Sequence, residues 1–479
     1  MSTCAPSPFI NNSDNHEPPD RSHRLVYYTC LASMLGDMNL SMLIAFFPKE
    51  CMQRGLQLIH IGILFGIFHL FALLSCLISP KILKKLPSSS LFTVGTFAQA
   101  VVTFAFGFTD RLEQPLTFFL ACAGIRTVQG ILAGICEVAS MDLIKRRVSP
   151  NRINESVAWV ESAKTLGVMI GPVLGGALCK KFDFRVPFMV LGSVILGVAF
   201  LMIIVPFDKD NDRLREPTSN WEYTKIVLKS PIVIMLMLVI VLAASSITFF
   251  EPTLQPFMAK RPLYLDEVEV GLIYLTLILV YGFTAGLSGV IASCVGNLAS
   301  FCFGLFCLGL GYCIMAPSKI LKGPLSAFSF LYQADSSKAV IVVVSGICLI
   351  GSGAGICLSP MNAILVNESM QKGISSTDSM LIISSMVNIG FTFGATIGPV
   401  AGAALVQALD FQRASVLFGY CVIASSFFVT ACIACIGKCR HNDDGSTMYE
   451  TMEESLLTVR ASHQPHRGRY LDTEPDEEA

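Results

Sequence analysis

Six ionisable side chains lie inside otherwise apolar stretches of this 479-residue chain. The acids are Asp37, Glu137, Glu161 and Glu251, and the bases are Arg126 and Lys164. A charge at the centre of a hydrocarbon layer costs about 2.5–3.5 kcal/mol on insertion scales, so such residues mark a pathway or are paired. A carboxylate taken out of water favours its protonated form, whereas a cation arriving beside it favours the ionised form. Competition between a proton and a cation for one carboxylate is therefore the chemistry that this set can perform. Arg126 stays charged at any relevant pH and can set the protonation of a neighbouring acid. Glu161 and Lys164 stand three residues apart, the spacing of a helical ion pair. Asn39, Gln99, Tyr281 and Asn388 are polar groups at similar depth. They can line a cavity or bond one helix to another. His69, alone in its stretch, reads as a packed, hydrogen-bonded residue rather than a proton carrier.

The elements that must position these groups are membrane helices. Of the residues, 53% are hydrophobic and only 14% charged, against about a quarter charged in a soluble chain. Twelve apolar segments are each long enough to cross about 30 Å of hydrocarbon. They run near 25–47, 57–79, 91–109, 116–143, 157–179, 186–206, 231–256, 269–292, 297–316, 338–361, 379–405 and 414–437. Backbone groups in lipid must be paired internally, so an all-α fold follows. The most polar internal stretch, 207–230, divides the chain into two six-helix halves, 25–206 and 231–437. Residues 1–24 form a polar N-terminal tail without an apolar core, so no cleaved signal peptide is expected. Residues 438–479 form a polar C-terminal tail with the composition of a disordered segment. Lys81, Lys84 and Lys85, with Lys145, Arg146, Arg147 and Arg152, lie on the side that holds the N-terminus. The excess of bases makes that side, and both termini, cytoplasmic. The sequons at Asn11, Asn154 and Asn367 would then stay unglycosylated.

A repeat links the halves. Residues 170–178 read IGPVLGGAL and residues 397–405 read IGPVAGAAL, 227 positions apart. Asp183–Phe184 and Asp410–Phe411, and Gly192 and Gly419, keep the same offset. The first copy contains Gly167, Gly171, Pro172, Gly175 and Gly176; the second contains Gly390, Gly394, Gly398, Pro399 and Gly402. Glycines four apart share one face and admit a close helix neighbour. The second copy replaces Gly176 by Ala403, so the closest helix contact is expected at the first. In segment 7, Pro252 follows Glu251 and leaves the Thr248 carbonyl without its helical donor. An acid beside such a bend suits a hinge and a cation site together.

The first glycine copy resembles the antiporter motif of drug:proton antiporters in the major facilitator superfamily. Arg126–Thr–Val–Gln129–Gly130 resembles the R-x-x-Q-G of segment 4 in the same superfamily, where the arginine is linked to proton coupling. Glu251–Pro–Thr–Leu–Gln–Pro256 resembles the E-P-x-L-P of the vesicular amine transporter family, with Gln255 as an extra residue. FFPKE (46–50) and the run Glu161–Gly176 resemble the vesicular polyamine transporter-like branch. The resemblance covers most of residues 25–437. It implies a twelve-helix transporter whose halves rock about a central site, exchanging protons for an organic cation, with polyamines ahead of monoamines. Asp37 and Glu251 would face the cation, with Glu161 as a further candidate and Arg126 setting their protonation. The segment 5 and 11 glycines would form the sliding interface. The loop SPKILKKLPSS (79–89) lacks the Gly and Asp of the family's gating loop. Segment 10, ICLSPMNAIL (356–365), lacks the acid of the monoamine carriers.

No P-loop is present, so transport would be secondary rather than ATP-driven. No enzyme constellation, metal cluster or cofactor motif appears, and the net charge of −1 does not favour nucleic acid. The partners implied are a small organic cation, protons, the lipid bilayer and sorting adaptors at the tail. Tyr449–Met452 and Glu453–Leu457 resemble short sorting patterns and tilt the location toward vesicular or endolysosomal membranes. The alternatives are a multidrug exporter at the plasma membrane and a transport-inactive membrane scaffold or sensor.

Overall fold

The computed structural model describes residues 19–149, 152–204, 221–260, 262–317, 332 and 335–444. Residues 207–220 of the 207–230 linker and the C-terminal sorting patterns lie outside the described residues, and the rest of the linker contains a short helix, Trp221–Leu228. The described residues are helical throughout, and none forms a strand. They fall into two compact units divided after Ser426. All packing below belongs to the first.

The first span is broken. Helix α1 (Pro19–Ser41) passes through a 3-10 turn (Met42–Ala45) into α2 (Phe47–Gln53), with a 47° bend. Then follow α3 (Leu58–Ile82), α4 (Ser88–Gly107), α5 (Pro115–Arg147), α6 (Ile153–Lys181) and α7 (Arg185–Ile204). After the short α8 (Trp221–Leu228) come α9 (Pro231–Thr248) and α10 (Phe250–Met258). The chain continues through α11 (Glu267–Val295), α12 (Asn297–Met315), α13 (Ser336–Met370), α14 (Ser376–Leu409) and α15 (Phe411–Asp444). Among the described residues eleven spans are long and apolar enough to cross a membrane, or twelve when the bent first pair counts as one. The side from which α1 starts is called the near side below, and the opposite one the far side.

Helix starts follow local chemistry. Pro115 and Pro231 occupy first-turn positions of α5 and α9, where no donor is needed. The Asp266 carboxylate caps α11 by accepting from the N–H groups of Val268 and Glu269, both at 2.9 Å, and the Glu269 carboxylate accepts from the Asp266 N–H.

Within the first half α3 packs on α5 and α1 on α6; within the second α12 packs on α13 and α14 on α9. Two seams join the halves, α3 against α14 and α6 against α11. The nonapeptide repeat builds both kinds of packing. A Cβ on Gly167 would lie 2.1 Å from the Met34 carbonyl oxygen, and one on Gly394 would lie 2.3 Å from that of Val241. Gly171 likewise meets Ser41, and Gly398 meets Thr248. Met34 and Val241, like Ser41 and Thr248, are 207 residues apart, a second constant offset that local sequence does not display. Across the seams, Gly176 abuts Glu267 and Gly271 abuts Pro172.

The shortest approaches in the repeat are in the first copy, at Gly167 and Gly171, but the expectation that the Gly176 position is tighter than its Ala403 counterpart is corrected at the seams. A Cβ on Gly176 would come within 2.5 Å of the Glu267 carbonyl oxygen. At the other seam a Cβ on Gly62 would come within 2.5 Å of the Pro399 carbonyl oxygen and 2.6 Å of the Ala403 Cβ. Ala403 is accommodated because the partner helix supplies the glycine. The two seams are equally close.

On the far side the seams are latched. Lys180 pairs with Asp266 across the α6–α11 seam, and beside it Lys49 of α2 pairs with Glu267 of α11. Gln407 accepts from the Ile59 N–H (3.0 Å) and donates to Gln57 Oε1 (3.1 Å) across the α3–α14 seam. Burial of Asp266 opposes its charge. The bonds from Lys180 and from the Glu269 and Val268 N–H groups outweigh this and hold the carboxyl below the ordinary carboxylate range. Arg54 ties the first half together on this side, donating to Glu50 (2.9 Å) and Asp110 (2.7 Å).

Candidate functional site

The sequence-selected residues separate into two clusters. The first is Glu251 with Arg126. Helix α9 ends at Thr248 and α10 restarts at Phe250, so Glu251 falls in the first turn after the break, next to Pro252. Glu251 is 4% exposed. Its carboxylate faces His69 of α3, whose Nε2 lies 3.3 Å and 3.4 Å from the two oxygens. Arg126, 1% exposed, is close enough to Glu251 to act on it electrostatically. Its Nε donates to the Leu64 carbonyl and one terminal nitrogen donates to Gln129 Oε1, both at 3.4 Å. Its guanidinium lies over the Phe68 ring, 4.6 Å from the centroid, a cation–π contact. The other terminal nitrogen of Arg126 and the amide nitrogen of Gln129 have no hydrogen-bond partner. Gln255, one turn beyond Glu251, is buried with its side-chain oxygen equally unpaired. An unpaired buried donor or acceptor costs about 1–3 kcal/mol, so these groups are poised for a ligand or water.

Both halves contribute side chains to this cluster, His69 and Arg126 from one and Glu251 from the other. His69 was read from the sequence as a packed residue; the structure makes it the direct partner of Glu251 across 182 positions. Gly130 lets α5 approach α3 here, since a Cβ would lie 2.4 Å from the Phe68 carbonyl oxygen.

The second cluster lies wholly in the first half. Lys164 of α6, 8% exposed, donates to Glu137 of α5 at 2.6 Å and to Glu161 at 2.9 Å. Asp37 of α1 faces this group and feels Lys164, Glu137 and Glu161 electrostatically. A cavity of about 30 Å³ beside it is lined by Asp37, Gln99, Glu137 and Lys164, room for a water molecule. Glu137 and Arg126 are eleven residues apart on α5, about 16 Å along the axis.

Two expectations change. Arg126 lies within electrostatic reach of Glu251, whereas the charged neighbours of Asp37 are Lys164, Glu137 and Glu161. Glu161 has a 55% exposed side chain and is already paired with Lys164. Of the remaining residues, Asn39 is buried with its side-chain oxygen unpaired. Tyr281 is half-buried against the Gly351 and Gly355 backbone of α13, and Asn388 is exposed on α14. Among the described residues no group of three His, Cys, Asp or Glu could hold a metal ion.

A helical bundle of two seamed halves, with a buried acid answered across the seam, defines a class of membrane carrier. The family model of the Major Facilitator Superfamily matches residues 29–382, and the chain belongs to that superfamily. The rat MFS-type transporter SLC18B1 is 28% identical over 389 residues, 81% of each chain. The human synaptic vesicular amine transporter is 20% identical over 375 residues, 78% of this chain and 67% of the other. These relatives are consistent with the vesicular amine transporter-like branch. The fold also resembles the crystal structure of the nucleoside transporter NupG, with a TM-score of 0.66 at 11% identity, covering 85% of this chain and 98% of that one. The protein is a multi-pass secondary transporter, not an enzyme.

Proposed function

We propose that this transporter exchanges protons for an organic cation, a polyamine or related amine, at the Glu251 site. The observation that carries the reading is the buried His69–Glu251 contact between the halves, with Arg126 behind it. A ligand ammonium entering from the near side meets an acid whose present partners are an imidazole and a guanidinium. Ammonium and proton compete for the same carboxylate, so each promotes release of the other. Rocking of the halves separates His69 from Glu251 and turns the site toward the far side. Asp37 is a second proton or cation acceptor in this reading, and Asn39 and Gln255 supply polar lining. The near side is cytoplasmic and the membrane that of an acidic vesicle, as the basic near-side loops and the names of the amine-carrying relatives support.

Purified protein in proteoliposomes with an acid interior tests this. Labelled spermidine should accumulate in a ΔpH-dependent manner, and dopamine should accumulate less. Accumulation of unrelated organic cations without spermidine would favour a multidrug exporter. If no organic cation moves and substrates never dissipate ΔpH, the transport reading is wrong.

A further inference from the structure

A groove of about 500 Å³ runs between α1 and α6 at the near-side end, separate from both charge clusters. We propose that it binds an aminophospholipid, a lipid whose headgroup carries a phosphate next to a primary ammonium. This goes beyond the transport reading and does not depend on it.

Four observations point there. First, the groove faces away from the protein interior. At 100° per residue, Trp159 and Leu166 stand roughly 120–140° around α6 from Gly171, which faces α1, and from Pro172, which faces α11, and roughly 80–100° from Gly176. Second, it is graded like a lipid. Arg152, His23 and Glu155 line its near-side mouth, and the wall deepens through Trp159 to Leu166, a run of roughly 20 Å against a hydrocarbon thickness of about 15 Å for one leaflet. Third, Tyr27 and Trp159 are 63% and 60% exposed beside the mouth, where amphipathic aromatic rings settle at headgroup depth. Fourth, the charges match. Arg152 donates to His23 Nε2 at 3.1 Å and lies 3.6 Å from Glu155. That gives a cationic point for phosphate next to an anionic point for ammonium. Arg147, one residue before the lining residue Val148, is buried with two guanidinium nitrogens that have no hydrogen-bond partner among the described residues.

A choline headgroup presents a phosphate but no N–H donor for Glu155, and a glycerol headgroup has no cation. Discrimination among the three is therefore the signature. The chain has two tryptophans, Trp159 and Trp221, so a full-length Trp221→Phe protein reports from the groove alone. Lipids with brominated acyl chains would be titrated into it, with phosphoethanolamine, phosphocholine or phosphoglycerol headgroups. Quenching should reach its midpoint at about tenfold lower mole fraction with phosphoethanolamine than with phosphocholine, the scale of one charge-assisted hydrogen bond. Glu155→Gln should abolish the preference over phosphocholine and the advantage over phosphoglycerol, and Arg152→Gln should weaken quenching by all three headgroups alike. Equal midpoints for the three headgroups, or a phosphoglycerol midpoint below the others, would overturn the assignment. The headgroup comparison needs no groove variant, so it stands even if those variants fold poorly.

Discussion

The two charge clusters differ in how they are built, and the difference separates their roles. Asp37, Glu137, Glu161 and Lys164 all belong to α1, α5 and α6, inside one half. His69, Arg126 and Glu251 join α3 and α5 to α10, across the halves. A rigid-body rocking of the halves leaves the first set of distances unchanged and must alter the second. Only the second can report the conformation to a bound proton or cation.

The sharpest way to break this comparison is substitution at the cross-half acid. Glu251→Gln keeps the size of the side chain and removes its charge. ΔpH-driven uptake should fall at least about tenfold, the middle of the range of coupling energies, while the protein remains folded. Lys164→Met strikes the other cluster. It leaves three acids facing one another without their cation, and removing one partner of a buried pair costs about 3–5 kcal/mol. Thermal unfolding in detergent should shift strongly downward. Glu161→Gln, on the exposed side of the same cluster, should cost about 0–1 kcal/mol and leave the melting curve nearly in place.

The α6–α11 seam offers the same contrast between its two ends. At the far end Gly271 touches Pro172 and admits no Cβ. At the near end Gly282, Gly286 and Gly289 project on a similar face of α11, within roughly 60° of Gly271, and a Cβ at any of them meets nothing within 4 Å. Gly286→Leu should leave stability within about 0.5 kcal/mol of the parent and still slow transport several-fold, because the near end can no longer close. Gly176→Leu and Ala403→Leu should now harm transport about equally, since Gly62 makes the second seam as tight as the first. Unequal loss in an uptake assay would restore the asymmetry that the sequence suggests.

The smallest effect concerns the latch. The Asp266 carboxyl is held below its ordinary range, so its stabilising charge is present above that range and is lost only as pH falls through the depressed value. Acidifying the far side from pH 7 to pH 5 should therefore leave the Lys180–Asp266 contact intact. Cross-linking between cysteines placed at positions 49 and 267 of an otherwise cysteine-free protein, which leaves Lys180 and Asp266 in place, should give unchanged yield across that interval. A steep fall near pH 5 would make the latch a pH sensor.

Much of the architecture was legible in the sequence because membrane helices have few solutions. Twelve apolar runs gave the spans, and a 227-residue offset exposed the internal repeat. The Glu161–Lys164 pair was visible because three residues make one helical turn. The site was less legible because its decisive contacts are non-local. Nothing in the stretch around His69 signals that α3 faces α10, and Glu137 meets Lys164 from another helix. The glycine missing at Ala403 had moved to Gly62, which no comparison of the two nonapeptides could show. Gln255 appeared as an insertion in a motif; the structure places it buried one turn beyond Glu251.

The central claim is that the cross-half acid, rather than the internal cluster, couples protons to substrate. The direct test measures two fluxes in proteoliposomes carrying Glu251→Gln: substrate exchange at equal pH, and proton movement on adding substrate. The account predicts that any exchange that persists occurs without proton movement, and that Asp37→Asn retains proton coupling. Undiminished substrate-driven proton flux in Glu251→Gln would contradict it.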